Sequence, residues 1–229
     1  MARSRAPGRL EEILDAAADV FIANGYRLAR IDAIASQAGV APATIHLYAA
    51  TKAGLFDLAM RRALHDPSVH DEPLPYHAPS PRATVDRIWL RLLATAHFPV
   101  LRSIGPAVPH EGVDAELRSV IGEAYRWLRE HRRALLLIER CAADWPELAS
   151  LFDTQFRREF LNRLTAFLER RARQGVLRTT PDAAIAARVM LEVITWSAVR
   201  RHETSDHVLD ESSAQNVILD LVSASLRQE

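Results

Sequence analysis

The chain has 229 residues, of which 48% are hydrophobic and 25% charged, and its 29 basic residues balance its 29 acidic ones. This composition is typical of a folded soluble protein and excludes a disordered one. Because the formal net charge is zero, any attraction to nucleic acid must come from a local patch of charge. The single cysteine, Cys141, excludes an internal disulfide and a multi-cysteine zinc site, and its residue type favours a buried apolar position.

The N-terminal residues 1–8 form a short basic arm that contains Arg3 and Arg5. Glu11 and Glu12 follow where a signal peptide would have a long apolar run, so no signal peptide is predicted. No stretch approaches the roughly 20 apolar residues that cross a bilayer. We therefore predict a flexible arm, which either frays or contacts DNA, and a cytoplasmic location.

An amphipathic helix is predicted after this arm. Apolar residues recur at intervals of three and four from Leu10 to Phe21, which is the period of one helix face. Asn24-Gly25 is a suitable end for the helix, because glycine readily adopts the left-handed conformation that terminates many helices.

The run from Ile31 to Tyr48 has the residue types of a helix-turn-helix. Two short helices that cross steeply need a small residue at their closest approach, and Ala35 stands at that place. Gly39 supplies a positive φ between the helices, and Pro42 suits the first turn of the second one, where its missing N–H is not needed. A further helix is predicted to begin at Thr51-Lys52.

The order and spacing of these residues resemble the TetR family of transcriptional regulators over residues 10–62. The segments that carry the resemblance are Gly25-Tyr26, Ile34-Ala35, Ala38-Gly39-Val40, Thr44-Ile45-His46-Leu47-Tyr48, and Thr51-Lys52 before Leu55-Phe56. The resemblance implies a DNA-binding domain over residues 9–65, whose second helix-turn-helix helix enters the major groove. It implies a reading face and a set of residues near the phosphate backbone: Pro42, Ala43, His46 and Leu47 in the groove, with Thr44, Tyr48 and Lys52 beside the backbone. Arg30, which stands where the family has a hydroxyl residue, is predicted from its longer reach to meet a phosphate as well.

The chain departs from the family pattern at several positions. Ala29-Arg30 replaces two hydroxyl residues, Ala43 replaces a glycine, His46 a tyrosine and Ala49 a core phenylalanine. His46 is interpreted as a phosphate donor or as a merely exposed residue; no histidine lies three or four residues from another, which argues against a metal site. These departures motivate an alternative function, in which the fold binds a small molecule or a protein partner and has lost operator binding.

A proline-rich segment, residues 66–81, is predicted to be an extended linker, because prolines cannot continue a helix. Residues 82–229 follow as a larger helical domain, with helical periodicity at 82–98, 113–130, 132–144, 147–174, 182–202 and 209–227. No segment has sustained strand alternation, so the predicted fold is all-α: an N-terminal three-helix domain and a C-terminal helical bundle.

Two of these stretches, 147–174 and 182–202, are apolar around most of their circumference, which requires burial on several sides. Gly175 ends the first stretch, and the second begins at Pro181-Asp182 with Thr180 as the predicted N-cap. We expect the long late helices of two subunits to form a two-fold interface, while packing within one chain is the alternative. The predicted interface residues are Phe156, Phe160, Leu164, Phe167, Ile185, Val189, Val193 and Trp196.

Residues Trp145-Pro146-Glu147-Leu148 resemble a segment that begins the dimerising helix in TetR regulators, whose C-terminal domain commonly binds a small molecule. A pocket between helices is expected to be mostly apolar with a few polar anchors. The candidate pocket residues, for which ordinary core packing is the alternative, are Trp89, Leu93, His97, Phe98, Trp127, Arg140, Cys141, Trp145 and Phe152.

The combined prediction is a homodimeric, TetR-like transcriptional regulator, with a repressor favoured over an activator. Its predicted partners are a roughly palindromic DNA operator, a second copy of the chain and a small apolar or amphipathic effector that releases the protein from DNA. No Glu-x-x-His pair, glycine-rich phosphate loop or metal-ligand spacing is present in the sequence, so no enzyme activity, cofactor or metal is predicted.

Overall fold

A computed structural model describes residues 8–96, 98–103, 105, 107, 112–154, 156–200 and 210–227, without the side chains of 151–154 and 156. Within these ranges the chain forms twelve α-helices and no β-sheet. Their bounds are α1 Arg9–Leu28, α2 Ile31–Gln37, α3 Pro42–Ile45, α4 Lys52–Ala63, α5 Pro81–Thr95, α6 Pro99–Ser103, α7 Gly112–Glu130, α8 Arg132–Ala142, α9 Pro146–Thr154, α10 Phe156–Arg173, α11 Ala183–Ala198 and α12 Glu211–Leu226. The all-α prediction is confirmed.

Contacts divide the described chain into two compact units. The first comprises the residues up to Ala94 together with Arg133–Asp153, and the second comprises Thr95–Arg132 and the residues from Thr154 onward. The predicted boundary after residue 65 marks the end of the DNA-binding segment and does not coincide with either unit. It remains a prediction about function. By contacts, α5 and most of α8 and α9 belong with the N-terminal helices.

The first unit is built around the apolar face of α1. Ile13, Leu14 and Phe21 on this face are at most 1% exposed, and α1 packs against α2 and α4. An aromatic cluster completes the core. The ring centres of Phe21 and Phe56, which meet edge-on, are 5.2 Å apart, and those of Phe56 and Trp145 are 5.1 Å apart. Trp145 lies between α8 and α9 in the sequence. The early helices are therefore held by a segment more than eighty residues away in the sequence.

The segment predicted as a linker is folded against the first unit. Pro67–Asp71 forms a 3₁₀ helix, whose N-cap residue Asp66 accepts a hydrogen bond from the Ser68 backbone N–H at 3.0 Å. Farther along, Tyr76 is buried with 4% of its surface exposed. Proline prevents an α-helix here, as predicted, but the side chains between the prolines pack and bond. We call residues 66–80 the strap.

The second unit is a helical bundle in which α11 packs against α7, α10 and α12. Its interior holds an ion pair between Arg171 of α10, which is fully buried, and Glu116 of α7. The Arg171 guanidinium donates to both carboxylate oxygens, at 2.7 Å from Nε and 2.6 Å from Nη2. This paired geometry compensates for the removal of both charges from water.

One detail of the second unit differs from the sequence prediction. The N-cap of α11 is Asp182, not Thr180, because the Asp182 carboxylate accepts hydrogen bonds from the backbone N–H groups of Ala184 and Ile185. The predicted glycine end of α10 is confirmed, since Gly175 has a φ of 69°. No described helix is long and apolar enough to cross a membrane.

Candidate nucleic-acid interface

The turn between α2 and α3 has the geometry that its residue types predict. Gly39 adopts a φ of 64°, in the left-handed region, and α3 begins at Pro42. The Val40 N–H donates to the Ala35 carbonyl at 2.9 Å, which closes the turn on the C-terminal end of α2. Ala35 has no exposed surface, so the helices approach where a small residue was expected.

The predicted reading face is exposed on and just after α3. Pro42, Ala43 and His46 are exposed, and Leu47 has 59% of its surface exposed, whereas Ile45 is fully buried and anchors the helix. The chain continues past Ile45 as turns, in which the Leu47 N–H donates to the Thr44 carbonyl at 3.1 Å. The result is a small, mostly apolar surface with one imidazole.

The residues predicted to lie near the phosphate backbone have different surroundings. The Arg30 side chain is 79% exposed, and among the described residues it makes a long contact of 3.5 Å to the Asp32 carboxylate, so it faces solvent. Thr44 is half-buried. Tyr48 is buried, at 4% exposed. Of these three, Arg30 is therefore the side chain most available to a phosphate.

Lys52 is engaged within the chain. Its ammonium donates to the carbonyl oxygens of Arg27 and Ala29, at 3.1 and 3.2 Å, and lies 4.9 Å from the centre of the Tyr26 ring. The N-terminus of α4 is thereby tied to the chain between α1 and α2. The predicted phosphate contact of Lys52 would have to be made together with these bonds or in exchange for them.

A carboxylate that the sequence did not single out holds the end of α1. Gly25 breaks the helix with a φ of 73°, and Asp144 accepts a hydrogen bond from the Arg27 backbone N–H at 2.8 Å. A Cβ added to Gly25 would lie 3.1 Å from this carboxylate and 3.3 Å from the Arg140 carbonyl oxygen. Gly25 thus provides both the left-handed turn and room for the segment that follows α8.

The strap joins the chain just after the reading face. The Tyr76 N–H donates to the Tyr48 carbonyl at 2.8 Å, and the Ala50 N–H donates to the Tyr76 carbonyl at 2.9 Å, so Ala49 and Tyr76 pair as one isolated parallel bridge. Sequence reasoning missed this contact, because a tyrosine among prolines was interpreted as part of a linker. The lone large ring in a segment otherwise rich in prolines was the available signal.

The predicted effector-pocket residues fall into both units. In the first unit, Cys141 is fully buried beside the Phe21 carbonyl, Trp145 packs against Tyr26 and Phe56, Trp89 is half-buried, and Leu93 and Arg140 are exposed. In the second unit, the rings of Phe98 and Trp127 are 6.0 Å apart, and Trp127 stacks on His131 at 4.6 Å. His97 and the Phe152 side chain lie outside the described residues.

The predicted dimer residues also divide into two sets. Phe160, Leu164 and Phe167 of α10 are at most 6% exposed within a single chain, which corresponds to the alternative of packing within one chain. Ile185, Val189, Val193 and Trp196 of α11 are between 37% and 63% exposed and recur at intervals of four, four and three residues. The exposed apolar face is thus on α11, and the Phe156 side chain lies outside the described residues.

Burial sets the chemistry of Cys141. Its pKa is raised to about 12, because the thiol is removed from water and, secondarily, because the Asp144 carboxylate is near, while Lys52 acts in the opposite direction. A thiol of this kind is protonated and unreactive at neutral pH. Within the described part of the chain, no group of three or more His, Cys, Asp or Glu side chains could hold a metal ion.

Comparison with known protein families gives two matches. Residues 13–59 match the tetR family of bacterial regulatory proteins, and residues 117–228 match the C-terminal domain of AefR-like transcriptional repressors. Together these matches cover more than half of the chain. No curated protein matches it.

Solved structures of similar fold include three regulators. The ketosteroid transcriptional regulator KstR2 of Mycobacterium tuberculosis has a TM-score of 0.58 at 17% identity, with 98% of each chain covered. A TetR-like transcriptional regulator from Rhodococcus sp. RHA1 has a TM-score of 0.52 at 18% identity, with 97% of this chain and 98% of that chain covered. AibR, solved with isovaleryl coenzyme A and operator DNA, has a TM-score of 0.52 at 14% identity, with 93% of this chain and 97% of that chain covered.

These structures share the all-α fold, and the two family matches cover both the helix-turn-helix and the C-terminal helices. The chain therefore belongs to the tetR family of bacterial regulatory proteins and is a DNA-binding transcriptional regulator.

Proposed function

We propose that this regulator is a cytoplasmic repressor that binds a roughly palindromic operator as a homodimer and leaves it when a small effector binds. The exposed face formed by Pro42, Ala43, His46 and Leu47 carries this proposal, because the Gly39 turn presents it as one surface. Such a face offers few bidentate contacts to bases. We expect apolar contacts with thymine methyl groups, and readout of DNA shape, to provide much of the specificity.

Phosphate contacts fix the register of a helix-turn-helix on DNA, and Arg30 is the side chain proposed for this role. Its guanidinium is 79% exposed, one residue before α2 begins. His46, at the C-terminal end of α3, is the second candidate. The protein has no net charge, so these local groups must supply the attraction to DNA.

The proposed homodimer uses the exposed apolar face of α11. Ile185, Val189, Val193 and Trp196 lie along one side of this helix, and such a row is unusual on the surface of a monomeric protein. A second copy of the chain is the natural partner, since a two-fold axis would pair each α11 face with its equivalent. A dimer would also present two reading faces, one from each subunit, to the two half-sites of a palindrome.

Release by an effector is proposed for the second unit, where Phe98 and Trp127 form part of an aromatic cluster. The AibR structure, which contains both a coenzyme A ester and operator DNA, indicates that a protein of this fold can hold both kinds of ligand. The two subunits of the dimer are proposed to adopt two arrangements, in only one of which the reading faces are spaced to fit the half-sites. An effector that binds the other arrangement more tightly would lower operator affinity by its differential affinity for the two. A small apolar or amphipathic molecule suits such surroundings.

A binding protein that has lost its operator is the second candidate. Two observations favour it: the Lys52 ammonium is occupied by carbonyl oxygens, and Ala29 is buried where a hydroxyl residue would meet a phosphate. In this case the fold would serve only to hold a small molecule or a protein partner.

Enrichment of duplexes from a random library by the full-length protein separates the two candidates. If the protein is a repressor, successive rounds should converge on one roughly palindromic sequence. A small-molecule library can then be screened for compounds that displace the protein from this duplex. Failure to converge, with weak and equal retention of all duplexes, would favour the binding protein without an operator.

A further inference from the structure

The strap packs against residues 48–50, the segment that follows the reading face. The Tyr76 backbone forms two hydrogen bonds with this segment, one with Tyr48 and one with Ala50. These residues immediately follow His46 and Leu47 of the reading face. The C-terminal side of the reading face is therefore fixed on the strap as well as on its own helix.

The sequence makes room for the strap at two positions. Ala49, which pairs with Tyr76, is small and buried. In the first turn of α4, a Cβ added to Gly54 would lie 2.9 Å from the Tyr76 carbonyl oxygen, closer than real Cβ contacts come. A side chain at Gly54 would therefore push the strap away. The small residues and the strap form one packing arrangement.

The Tyr76 side chain connects the strap to two helices. Its hydroxyl donates to Asp57 of α4 at 2.6 Å, and Arg87 of α5 donates to the same carboxylate oxygen at 2.9 Å and to the Tyr76 hydroxyl at 3.0 Å. Asp57 is fully buried, and its second oxygen has no hydrogen-bond partner among the described residues. A buried carboxylate with so few donors depends strongly on each one.

We propose that Tyr76 is a positioning residue for DNA recognition. Its backbone holds residues 48–50, which follow α3, and its side chain ties this segment to α4 through Asp57 and to α5 through Arg87. The inference rests on the proposed operator binding. Tyr76 itself is buried, so its proposed role involves no contact with DNA. Its effect is on the direction in which His46 and Leu47 face.

Two substitutions test the proposal in different ways. Tyr76→Phe removes the hydroxyl and leaves the ring, while Gly54→Ala leaves Tyr76 intact and displaces its carbonyl. Gly54→Ala is informative because alanine in a helix normally stabilises the fold relative to glycine. Arg82→Gln is the matched control, since it breaks an exposed ion pair with Asp86 on α5 and leaves every strap contact in place.

The first measurement is the ratio of affinity for the enriched operator to affinity for a scrambled duplex. A loss of folded protein lowers both affinities by one factor, whereas a misdirected reading face lowers only the specific one. We expect Tyr76→Phe to lower the ratio about tenfold, the equivalent of one lost hydrogen bond to a charged group. We expect a fall of similar size for Gly54→Ala, because it displaces the Tyr76 carbonyl that accepts from the Ala50 N–H. We expect Arg82→Gln to leave the ratio unchanged.

The second measurement needs no DNA. Amide hydrogen exchange should become faster at Ala50 and Tyr76 in both variants, while amides in the α1 core remain protected. An unchanged ratio with unchanged exchange at Ala50 and Tyr76 would overturn the proposal, as would faster exchange throughout the first unit with an equal loss of both affinities. A wild-type protein that prefers no duplex would overturn the proposed function and this inference together; a preference that both variants keep would overturn only the inference.

Discussion

The Lys52 ammonium lies 3.1 Å from the carbonyl oxygen of Arg27 and 3.2 Å from that of Ala29. It thus satisfies two backbone acceptors where α1 ends and the chain turns toward α2. A lysine at the start of α4 therefore has a structural role in the free protein, in addition to the phosphate contact that the family resemblance implies.

Replacing Lys52 with alanine should lower the free energy of unfolding by about 1 kcal/mol, because two carbonyl groups lose a charged donor. It should also weaken binding to all duplexes alike if the ammonium meets a phosphate. Urea denaturation and the salt dependence of DNA affinity measure the two effects. Arg30→Ala is the matched control: it should reduce the salt slope but change stability by less than about 0.5 kcal/mol, since its side chain is exposed. Full stability in Lys52→Ala would contradict the structural role.

Gly39 should tolerate asparagine better than alanine. A Cβ at this position meets no atom within 4 Å, so the cost comes from the left-handed φ of 64° alone. We expect Gly39→Ala to destabilise by roughly 1 kcal/mol and Gly39→Asn by about half as much, because asparagine adopts this conformation more readily. Chemical denaturation of the two variants measures the difference. Equal stability of wild type and Gly39→Ala would mean that the turn does not require a left-handed residue.

The buried pair of Arg171 and Glu116 should be more sensitive to the loss of one partner than to the loss of both. Glu116→Gln leaves a buried guanidinium without its counter-charge, and we expect a destabilisation of about 3 kcal/mol. The double variant Glu116→Leu with Arg171→Met should be more stable than this single variant, because no charge remains buried. Thermal and urea unfolding of the three proteins provide the comparison. A double variant no more stable than Glu116→Gln would contradict this prediction.

Cys141 should make stability depend on pH in the alkaline range. Burial raises the pKa of its thiol from the ordinary value of 9.0 to about 12. Because the folded-state pKa is the higher one, this stabilisation is complete below pH 9 and is lost as the pH rises toward 12. The difference in unfolding free energy between wild type and Cys141→Ala should therefore fall between pH 9 and pH 11. A difference that stays constant would mean that the thiol is not shielded from water.

A charge on the apolar face of α11 should separate the proposed dimer. Val189→Asp should raise the dimer dissociation constant at least about tenfold, because a carboxylate at the centre of the interface would lose its hydration. Sedimentation equilibrium measures the association. Leu90→Asp is the control, since Leu90 is similarly exposed but lies on α5. If the two variants associate equally well, α11 is not the interface.

Much of the DNA-binding head was predictable because its signals are local. Gly39, Pro42 and Thr51 act on the chain within three residues of themselves, and the structure places all three as expected, with the Thr51 side chain capping α4 at 3.1 Å from the Gly54 N–H. The reading face was predicted from the family resemblance, and its four residues are exposed in the structure.

The contacts that sequence reasoning missed are long-range ones. Asp144 reaches Arg27 across 117 positions, and the strap places Tyr76 beside Tyr48 through a path that proline content alone does not indicate. Periodicity also could not divide the apolar residues of α10 and α11 between the interior of one chain and a subunit interface. Both environments select the same side chains, so Phe160 and Val189 were predicted alike although only Phe160 is buried.

Operator binding by the reading face is tested most directly by fluorescence anisotropy. The full-length protein is titrated with the duplex that the library enriches, and with a scrambled duplex as the reference, at two salt concentrations. We expect two chains per duplex and a preference for the enriched sequence of at least about a thousandfold at physiological salt. We also expect Arg30→Ala to weaken binding to both duplexes, whereas His46→Ala and Leu47→Ala should weaken chiefly the binding to the enriched one. Equal affinity for the two duplexes, at both salt concentrations, would contradict the claim that the exposed face of α3 reads an operator.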